Sequence, residues 1–371
     1  MSYRPAIASL SLGRAWLHDL APKFAAAANA GLPGIEIFFE DLLYLASTYK
    51  GGSSLSTNQI LAARHIRALA DANSLTIIAL GPFSDVEGLL CPQKKLKKSE
   101  DLKTWFEIAR ILGTDIIQIP STFQNEGFTV DLETVVRDLR QIAELGAREN
   151  PPVRFAYENL CFGTYHDTWE KAWAVVKGVD RPNFGLCLDT FNIAGRGWAD
   201  PSRDDGKIEN ADELFAESLR SFVREVDVKK VFYVQVVDAE RMRNPIVKGH
   251  AFYQEGQKAR MSWSRNARLF ICEEDRGGYL PVIDVLKAIC DENTGLGYKG
   301  WISMEFFNRS LVGKGPDVPV EHAKRAVDSW NKLVKVMGWE DKVEAIIPQK
   351  RLGEAKSMSD QWATAEISAR L

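Results

Sequence analysis

The sequence predicts an α/β fold, a (β/α)₈ TIM barrel with an enlarged loop between strands 7 and 8 and a polar C-terminal tail. Eight short apolar runs alternate with helical patterns along 371 residues, and this alternation calls for parallel strands joined by right-handed crossovers. The rival doubly wound sheet usually carries a glycine-rich phosphate loop after its first strand, but SLSLGRAW offers one glycine. Four of the runs end in a carboxylate or amide, as expected where barrel strands point at an active site.

Each element follows from its local pattern. The strands are short apolar runs at residues 5–12, 34–40, 75–83, 114–120, 153–160, 184–189, 231–238 and 301–307. The helices are alanine-rich or repeat apolar residues at helical spacing, at 19–30, 56–72, 98–112, 131–149, 167–177, 208–226, 281–290 and 320–336. Gly31 and Gly113 end two of these helices, and the pair Gly81-Pro82 ends the third strand. The chain is expected to break at Ala194-Gly195 after the sixth strand.

Composition limits the class of protein. A hydrophobic content of 45% with 26% charged residues is typical of a globular protein with a sizeable core. The net charge of −3 gives no indication of a nucleic-acid partner. The five cysteines are odd in number and lack CxxC spacing, so they are expected to be reduced thiols of an intracellular protein. No signal peptide and no apolar run of about 20 residues is evident, so no membrane partner is expected.

The chain is expected to form one domain, a barrel over residues 1–346, followed by a polar tail over 347–371. We expect a cytoplasmic location. The last three residues, Ala369-Arg370-Leu371, have the small–basic–leucine pattern that peroxisomal import receptors read, so the peroxisome is the minority alternative. No pattern in the sequence indicates an oligomeric state.

Four predicted strand ends carry the candidate metal ligands, which are Glu158, Asp189, Gln235 and Glu305. Carboxylates and an amide oxygen are hard ligands, suited to Mg²⁺ or Mn²⁺. Three carboxylates placed together would raise one another's pKa values unless a cation lay between them. The alternative is that each acidic residue only caps a strand or forms an ion pair at the barrel rim.

Other polar residues leave two interpretations open. His166 follows the fifth strand, either at the functional rim or in a loop that precedes a helix cap. Glu36 either faces the barrel mouth or pairs inside the barrel. The connection over residues 241–276 holds eight Lys or Arg against four acidic residues and includes Trp263. Its length is well above the usual ~2–6 residues, which favours a loop over an anionic small substrate rather than a solvated surface loop.

Several segments together resemble a known family. ENL, LDTFNIAGR, FYVQVVDAE, EGQKARMSWSRNARLF, EEDRGGYLP and the ME of WISMEFF resemble the fungal 3-dehydroshikimate dehydratases of quinate catabolism, within the xylose-isomerase-like sugar phosphate isomerase/epimerase barrels. The resemblance implies a divalent-metal lyase that converts 3-dehydroshikimate to protocatechuate. By position, it also implies metal ligation by the four residues named above, with the metal holding the substrate's ketone and adjacent hydroxyl.

The resemblance also bears on substrate binding. An arginine of the basic connection would pair with the substrate carboxylate, with Arg260 first and Arg265 or Arg268 as alternatives. Further candidates for substrate contacts are Glu36, Asn192 and Trp263.

Three departures from the family pattern concern proton transfer. Asn192 stands where many barrel relatives carry histidine, and Gly81 stands where related dehydratases carry glutamine. Tyr165 stands where they carry histidine, with His166 one position later. The catalytic candidates are therefore His166 and the metal-bound Glu158 and Glu305.

Three other functions are compatible with parts of the pattern. On the same barrel, a sugar or keto-polyol isomerase or epimerase would move protons with Glu158 and Glu305, although the basic connection disfavours a neutral sugar. A metal-dependent endonuclease is disfavoured by only five histidines and by the negative net charge. A catalytically impaired, ligand-binding relative is the third.

Overall fold

The computed structural model describes residues 2–343 and residue 346. Eight parallel strands close a barrel in chain order, and the last pairs with the first. They are β1 (Arg4–Ala8), β2 (Gly34–Phe38), β3 (Thr76–Gly81), β4 (Ile116–Pro120), β5 (Arg154–Glu158), β6 (Phe184–Asp189), β7 (Val231–Gln235) and β8 (Trp301–Met304). The predicted (β/α)₈ fold class is confirmed.

Eleven helices lie in the described ranges. They are α1 (Leu20–Ala30), α2 (Phe39–Ser47), α3 (Ser56–Ala72), α4 (Pro92–Leu112), α5 (Leu132–Gly146), α6 (Trp169–Val179), α7 (Thr190–Gly197), α8 (Ala211–Glu225), α9 (Ala259–Ala267), α10 (Val282–Cys290) and α11 (Val318–Met337). Side-chain caps explain the starts of α5 and α6, because Asp131 accepts from the Thr134 amide and Thr168 from the Lys171 amide. None of the helices in these ranges is long and apolar enough to cross a membrane.

The core has two layers, which follow from the alternation of side chains along each strand. Inside the barrel, small and medium side chains such as Ala6, Ala79, Ala156 and Cys187 pack together beneath Tyr233. The outward faces of the strands bury aromatic and branched side chains against the helices. The carboxyl ends of the strands therefore form one rigid rim, on which the candidate ligands stand.

Several predicted boundaries were wrong, two of them directly after barrel strands. The first strand ends at Ala8 rather than at residue 12, and Ser9–Leu12 form one 3₁₀ turn. The Ser9 hydroxyl accepts a hydrogen bond from the Phe38 amide at 3.0 Å and donates to Asp41 at 2.6 Å, which bends the chain across β2. The chain also does not break at Ala194-Gly195, because α7 continues to Gly197. Asp189 starts this helix by accepting from the Phe191 amide at 2.7 Å.

The enlarged connection between β7 and β8 contains more structure than the sequence predicts. A two-residue antiparallel pair joins Asp238–Ala239 to Arg268–Leu269, and α9 lies between these two short strands. The predicted tail over 347–371 and the tripeptide Ala369-Arg370-Leu371 lie outside the described residues, so these expectations stay predictions.

Candidate active site

Three carboxylates meet at the mouth of the barrel, as the sequence predicts. Glu158 ends β5, Asp189 ends β6, and Glu305 directly follows β8. One oxygen from each carboxylate lies within 4.8 Å of the others, and all three side chains are buried. Burial raises the pKa of Glu158 well above its usual value, and the charges of Glu305 and Asp189 raise it further. Burial likewise raises the pKa of Glu305, so a positive charge is needed to keep this cluster ionised.

Arg268 supplies one such charge. Its Nη1 donates to Asp189 Oδ2 at 2.8 Å and to Glu305 Oε2 at 2.9 Å. The guanidinium is buried, with its central carbon 4.3 Å from the ring centroid of Phe191 and 5.0 Å from that of Phe307. Burial alone would lower the pKa of Arg268, but Asp189 and Glu305 raise it overall. When ionised, the three carboxylates together with this guanidinium carry a net charge of −2, which one divalent cation would balance.

Side-chain amides hold Glu158 in place. Gln118 on β4 donates to Oε2 of Glu158, and Asn192 donates to Oε1 at 2.7 Å. Asn192 Nδ2 also lies 2.7 Å from Asp189 Oδ2, while its Oδ1 accepts from the Cys161 amide at 2.9 Å. Asn192, expected to contact substrate, therefore bridges two carboxylates. N–H donors on both oxygens of Glu158 favour its ionised form.

Gln118 was not among the site residues predicted from the sequence, although a polar residue within the apolar run IIQIP was a signal for it. Its place explains Gly81. A Cβ added to Gly81 would lie 2.7 Å from Gln118 Oε1 and 2.8 Å from Gln118 Cβ. Gly81 thus leaves the space that the Gln118 side chain occupies.

Gln235 offers a fourth oxygen. It stands beside Asp189 in the register of β6 and β7 and is fully buried. Its Nε2 donates to Glu36 Oε1 at 3.0 Å, whereas its Oε1 has no hydrogen-bond partner among the described residues. A buried amide oxygen without a partner is costly unless a ligand completes it. Three carboxylates and this oxygen fit a hard divalent cation such as Mg²⁺ or Mn²⁺.

Glu36 pairs inside the barrel, which is one of its two expected positions. It accepts hydrogen bonds from the Tyr233 hydroxyl at 2.7 Å and from the Ser303 hydroxyl at 2.8 Å, besides the bond from Gln235. Burial raises the pKa of Glu36, and these three hydrogen bonds oppose that rise. Each of the four candidate ligands therefore has at least one polar side chain as a hydrogen-bond partner; they are Glu158, Asp189, Gln235 and Glu305.

The structure does not bring His166 to the carboxylates. Its Nδ1 lies 3.4 Å from Glu87 Oε1, and its ring packs edge-on against Tyr157, whose hydroxyl also donates to Glu87. Tyr157 and Glu158 are consecutive on β5, so their side chains point to opposite faces of the strand. His166 consequently lies on the helix side of the barrel wall, which matches the structural interpretation of the loop rather than the catalytic one.

Two residues of the basic connection anchor it instead of reaching the site. Arg260 donates from Nε to the Gly195 carbonyl at 2.8 Å and from Nη2 to the Ala199 carbonyl at 2.6 Å. Trp263 is fully buried, and its indole N–H donates to the Glu240 carbonyl at 2.9 Å. Arg260 is the first candidate from the sequence for the substrate carboxylate. In the structure, its Nε and Nη2 bind these main-chain oxygens at and just after the end of α7.

The other arginines of the connection are placed differently. Arg265 is exposed, and its described hydrogen-bond acceptor is the neutral Gln257, at 3.2 Å. Its guanidinium carbon is 5.9 Å from the ring centroid of Phe123, in the loop after β4. Arg268 alone of the three candidates contacts the carboxylate cluster. Tyr165, the position of the third departure, donates from its hydroxyl to the Phe128 carbonyl at 3.4 Å.

Comparison with known proteins defines the class. Residues 24–333 match the family model of the xylose isomerase-like TIM barrel, and the chain belongs to this family. Within it, the chain is 46% identical over 342 residues to a 3-dehydroshikimate dehydratase of Neurospora crassa, covering 90% of this chain and 94% of that relative. The resemblance inferred from the sequence is confirmed.

Two further relatives are more distant. A 3-dehydroshikimate dehydratase of Pseudomonas putida is 28% identical over 292 residues, which cover 78% of this chain and 36% of that longer protein. A solved xylose isomerase-like TIM barrel/4-hydroxyphenylpyruvate dioxygenase fusion protein superimposes with a TM-score of 0.66 at 24% identity, over 93% of this chain and 45% of that one. The second likeness shows the fold alone.

Proposed function

We propose that this protein is a divalent-metal-dependent lyase that dehydrates 3-dehydroshikimate to protocatechuate. The observation that carries the proposal is the 46% identity, over nearly the full length of both chains, to a protein of that name. The buried cluster at the barrel mouth supports the metal dependence, because its charge and its unpartnered amide oxygen suit a hard cation.

The cation would be held by Glu158, Asp189, Gln235 and Glu305. When bound, a divalent cation would polarise the substrate ketone and so acidify the C–H bond on the neighbouring carbon. The identity of the cation is part of the proposal, with Mg²⁺ and Mn²⁺ preferred for an all-oxygen ligand set.

Proton transfer falls to Glu305 in this proposal. The dehydration removes a proton from a carbon beside the ketone and a hydroxyl from the next carbon, which together leave as water. Both oxygens of Glu158 already accept amide N–H groups, whereas Glu305 Oε1 receives no hydrogen bond from the described residues. Glu305 could therefore take the proton and return it to the departing hydroxyl, as a general base that then acts as general acid.

The substrate carboxylate is assigned to Arg268, with Arg265 as the alternative. Arg268 is the arginine at the cluster, and a planar guanidinium suits a carboxylate partner. Ser264 Oγ lies 3.2 Å from both Nε and Nη2 of Arg268, which orients the guanidinium. Arg260 is not assigned this role, because its Nε and Nη2 donate to main-chain carbonyls and Nη2 also lies 3.7 Å from Asp200 Oδ2.

The test is direct. Purified protein is incubated with 3-dehydroshikimate and Mg²⁺ or Mn²⁺, and the aromatic product is followed by its ultraviolet absorbance. We expect turnover that exhaustive chelation abolishes and that either cation restores. Glu305→Gln should lower the rate by about 10²–10⁴-fold, the usual contribution of a general base.

Asp275→Asn is the matched control, since Asp275 is an exposed carboxylate outside the cluster and should leave the rate unchanged. Absence of an aromatic product with either cation would contradict the substrate assignment. Full activity after chelation would contradict the metal assignment.

A further inference from the structure

We propose that Glu36 is a positioning residue that orients the amide of Gln235, so that the carbonyl oxygen rather than the NH₂ group faces the carboxylate cluster. This role rests on the cation site of the proposed function. It replaces the expectation that Glu36 contacts substrate.

The side-chain amide of Gln235 is nearly symmetric in shape. Oxygen and nitrogen of a glutamine side chain have nearly the same shape, so packing alone barely distinguishes the two flipped orientations. The hydrogen-bond partners therefore determine which of the two orientations is more stable. At Gln235, the wrong orientation would present two N–H donors to a cation and would remove a ligand.

The partner of the Gln235 amide is the carboxylate of Glu36. Glu36 accepts hydrogen bonds on both of its oxygens, from Tyr233, Ser303 and Gln235, so it binds the NH₂ side of Gln235 and not its oxygen. The Gln235 Nε2 to Glu36 Oε1 distance is 3.0 Å. In the flipped orientation, two oxygens would face each other across this distance, and both would be buried, since Glu36 is 4% exposed and Gln235 is 0% exposed.

Glu36 is itself held by hydrogen bonds on both oxygens. Oε1 also accepts from Tyr233 on β7, and Oε2 accepts from Ser303 on β8. Glu36 itself lies on β2, so three strands of the barrel hold this carboxylate. Because Nε2 of Gln235 is bound to Glu36, its Oε1 points away from Glu36. This oxygen is buried and has no protein partner in the described part of the chain.

Residues that orient a metal ligand without touching the metal typically change its affinity by about 10–100-fold when they are replaced. We therefore expect Glu36→Gln to weaken Mn²⁺ binding by about 10–100-fold, because the amide introduced in place of the carboxylate can accept from or donate to Gln235 and no longer selects one orientation. Affinity is measured by calorimetric titration of the cation-free protein with MnCl₂. Thermal unfolding of each variant without cation is recorded first.

A double-mutant cycle separates orientation from simple charge. A glutamate at position 235 has two equivalent oxygens and needs no orienting partner, but one of them faces the Glu36 carboxylate, a contact that an amide at position 36 replaces with an N–H donor. Glu36→Gln should therefore weaken binding in the natural protein but not in the Gln235→Glu background. If the same fold-loss is found in both backgrounds, Glu36 acts only through its negative charge and the proposal is overturned.

Glu36→Asp provides an independent arm if Glu36→Gln fails to fold. It keeps the charge but shortens the side chain by one methylene, so it should lose the contact with Gln235 and weaken Mn²⁺ binding. Unchanged affinity in Glu36→Asp would overturn the role of Glu36 while leaving the cation site intact. If the unmodified protein binds no Mn²⁺, the cation site of the proposed function fails and this role fails with it.

Discussion

Replacing Arg268 by methionine tests the electrostatics of the site most directly. Methionine nearly matches the length of the arginine stem but removes the charge and the hydrogen bonds to Asp189 and Glu305, at 2.8 and 2.9 Å. Removing one partner of a buried ion pair typically costs about 3–5 kcal/mol, because the remaining charge stays buried without compensation. We expect the cation-free Arg268→Met protein to lose about 3–5 kcal/mol of unfolding free energy at pH 8.

The loss should depend on pH in a defined direction. Burial raises the pKa of Glu158 and of Glu305 above the values of the unfolded chain, and Arg268 opposes this rise at both. Without Arg268 the two pKa values rise further. The folded variant then takes up protons at a higher pH than the unfolded chain does, so its stability increases as the pH falls. The difference from the natural protein should therefore be smaller at pH 5 than at pH 8.

Urea unfolding, followed by tryptophan fluorescence with a chelator present, measures both the loss of unfolding free energy and its dependence on pH. Arg265→Met is the matched control, because Arg265 is exposed and its described hydrogen bond goes to a neutral amide, so a change within about 0.5 kcal/mol is expected. Added Mn²⁺ should stabilise Arg268→Met more than the natural protein, since the cation then supplies the missing charge. A loss below about 1 kcal/mol at pH 8, or one equal to that of the control, would refute the argument that this guanidinium compensates buried, ionised carboxylates.

Two further predictions concern candidate site residues that do not contact the carboxylate cluster in the structure. Arg260→Ala should raise KM for 3-dehydroshikimate and for its neutral carboxamide analogue by the same factor, because Arg260 binds the Gly195 and Ala199 carbonyls. If KM rises for 3-dehydroshikimate alone, Arg260 binds the substrate carboxylate after all. His166→Asn should keep kcat within about 3-fold, against the 10²–10⁴-fold loss expected of a general base, and should lower the free energy of unfolding measured by urea, because Glu87 loses a buried partner.

Two helices of the site escaped the sequence patterns for identifiable reasons. The segment that forms α7 contains two glycines and continues the apolar run of β6, so its local signal is that of a strand followed by a turn. Its first turn depends on the side chain of Asp189 at the strand end. The α9 segment has little apolar periodicity. It is held by Arg260 at α7 and by the buried Trp263, contacts that no local pattern shows.

The sequence by itself determined the barrel and the positions of the four ligand candidates. Strand periodicity, helix spacing and a polar residue at a strand end are local features, and a parallel barrel places all such ends at one mouth. Only the tertiary structure decided which side chains complete the site. Arg268 meets Asp189 across 79 positions of sequence, and Glu36 meets Gln235 across 199. The contact of His166 with Glu87 and the contact of Arg268, rather than Arg260, with the carboxylates are also distant in sequence. They cannot be read from local patterns, because the energy of a buried charge is set by its neighbours in space rather than along the chain.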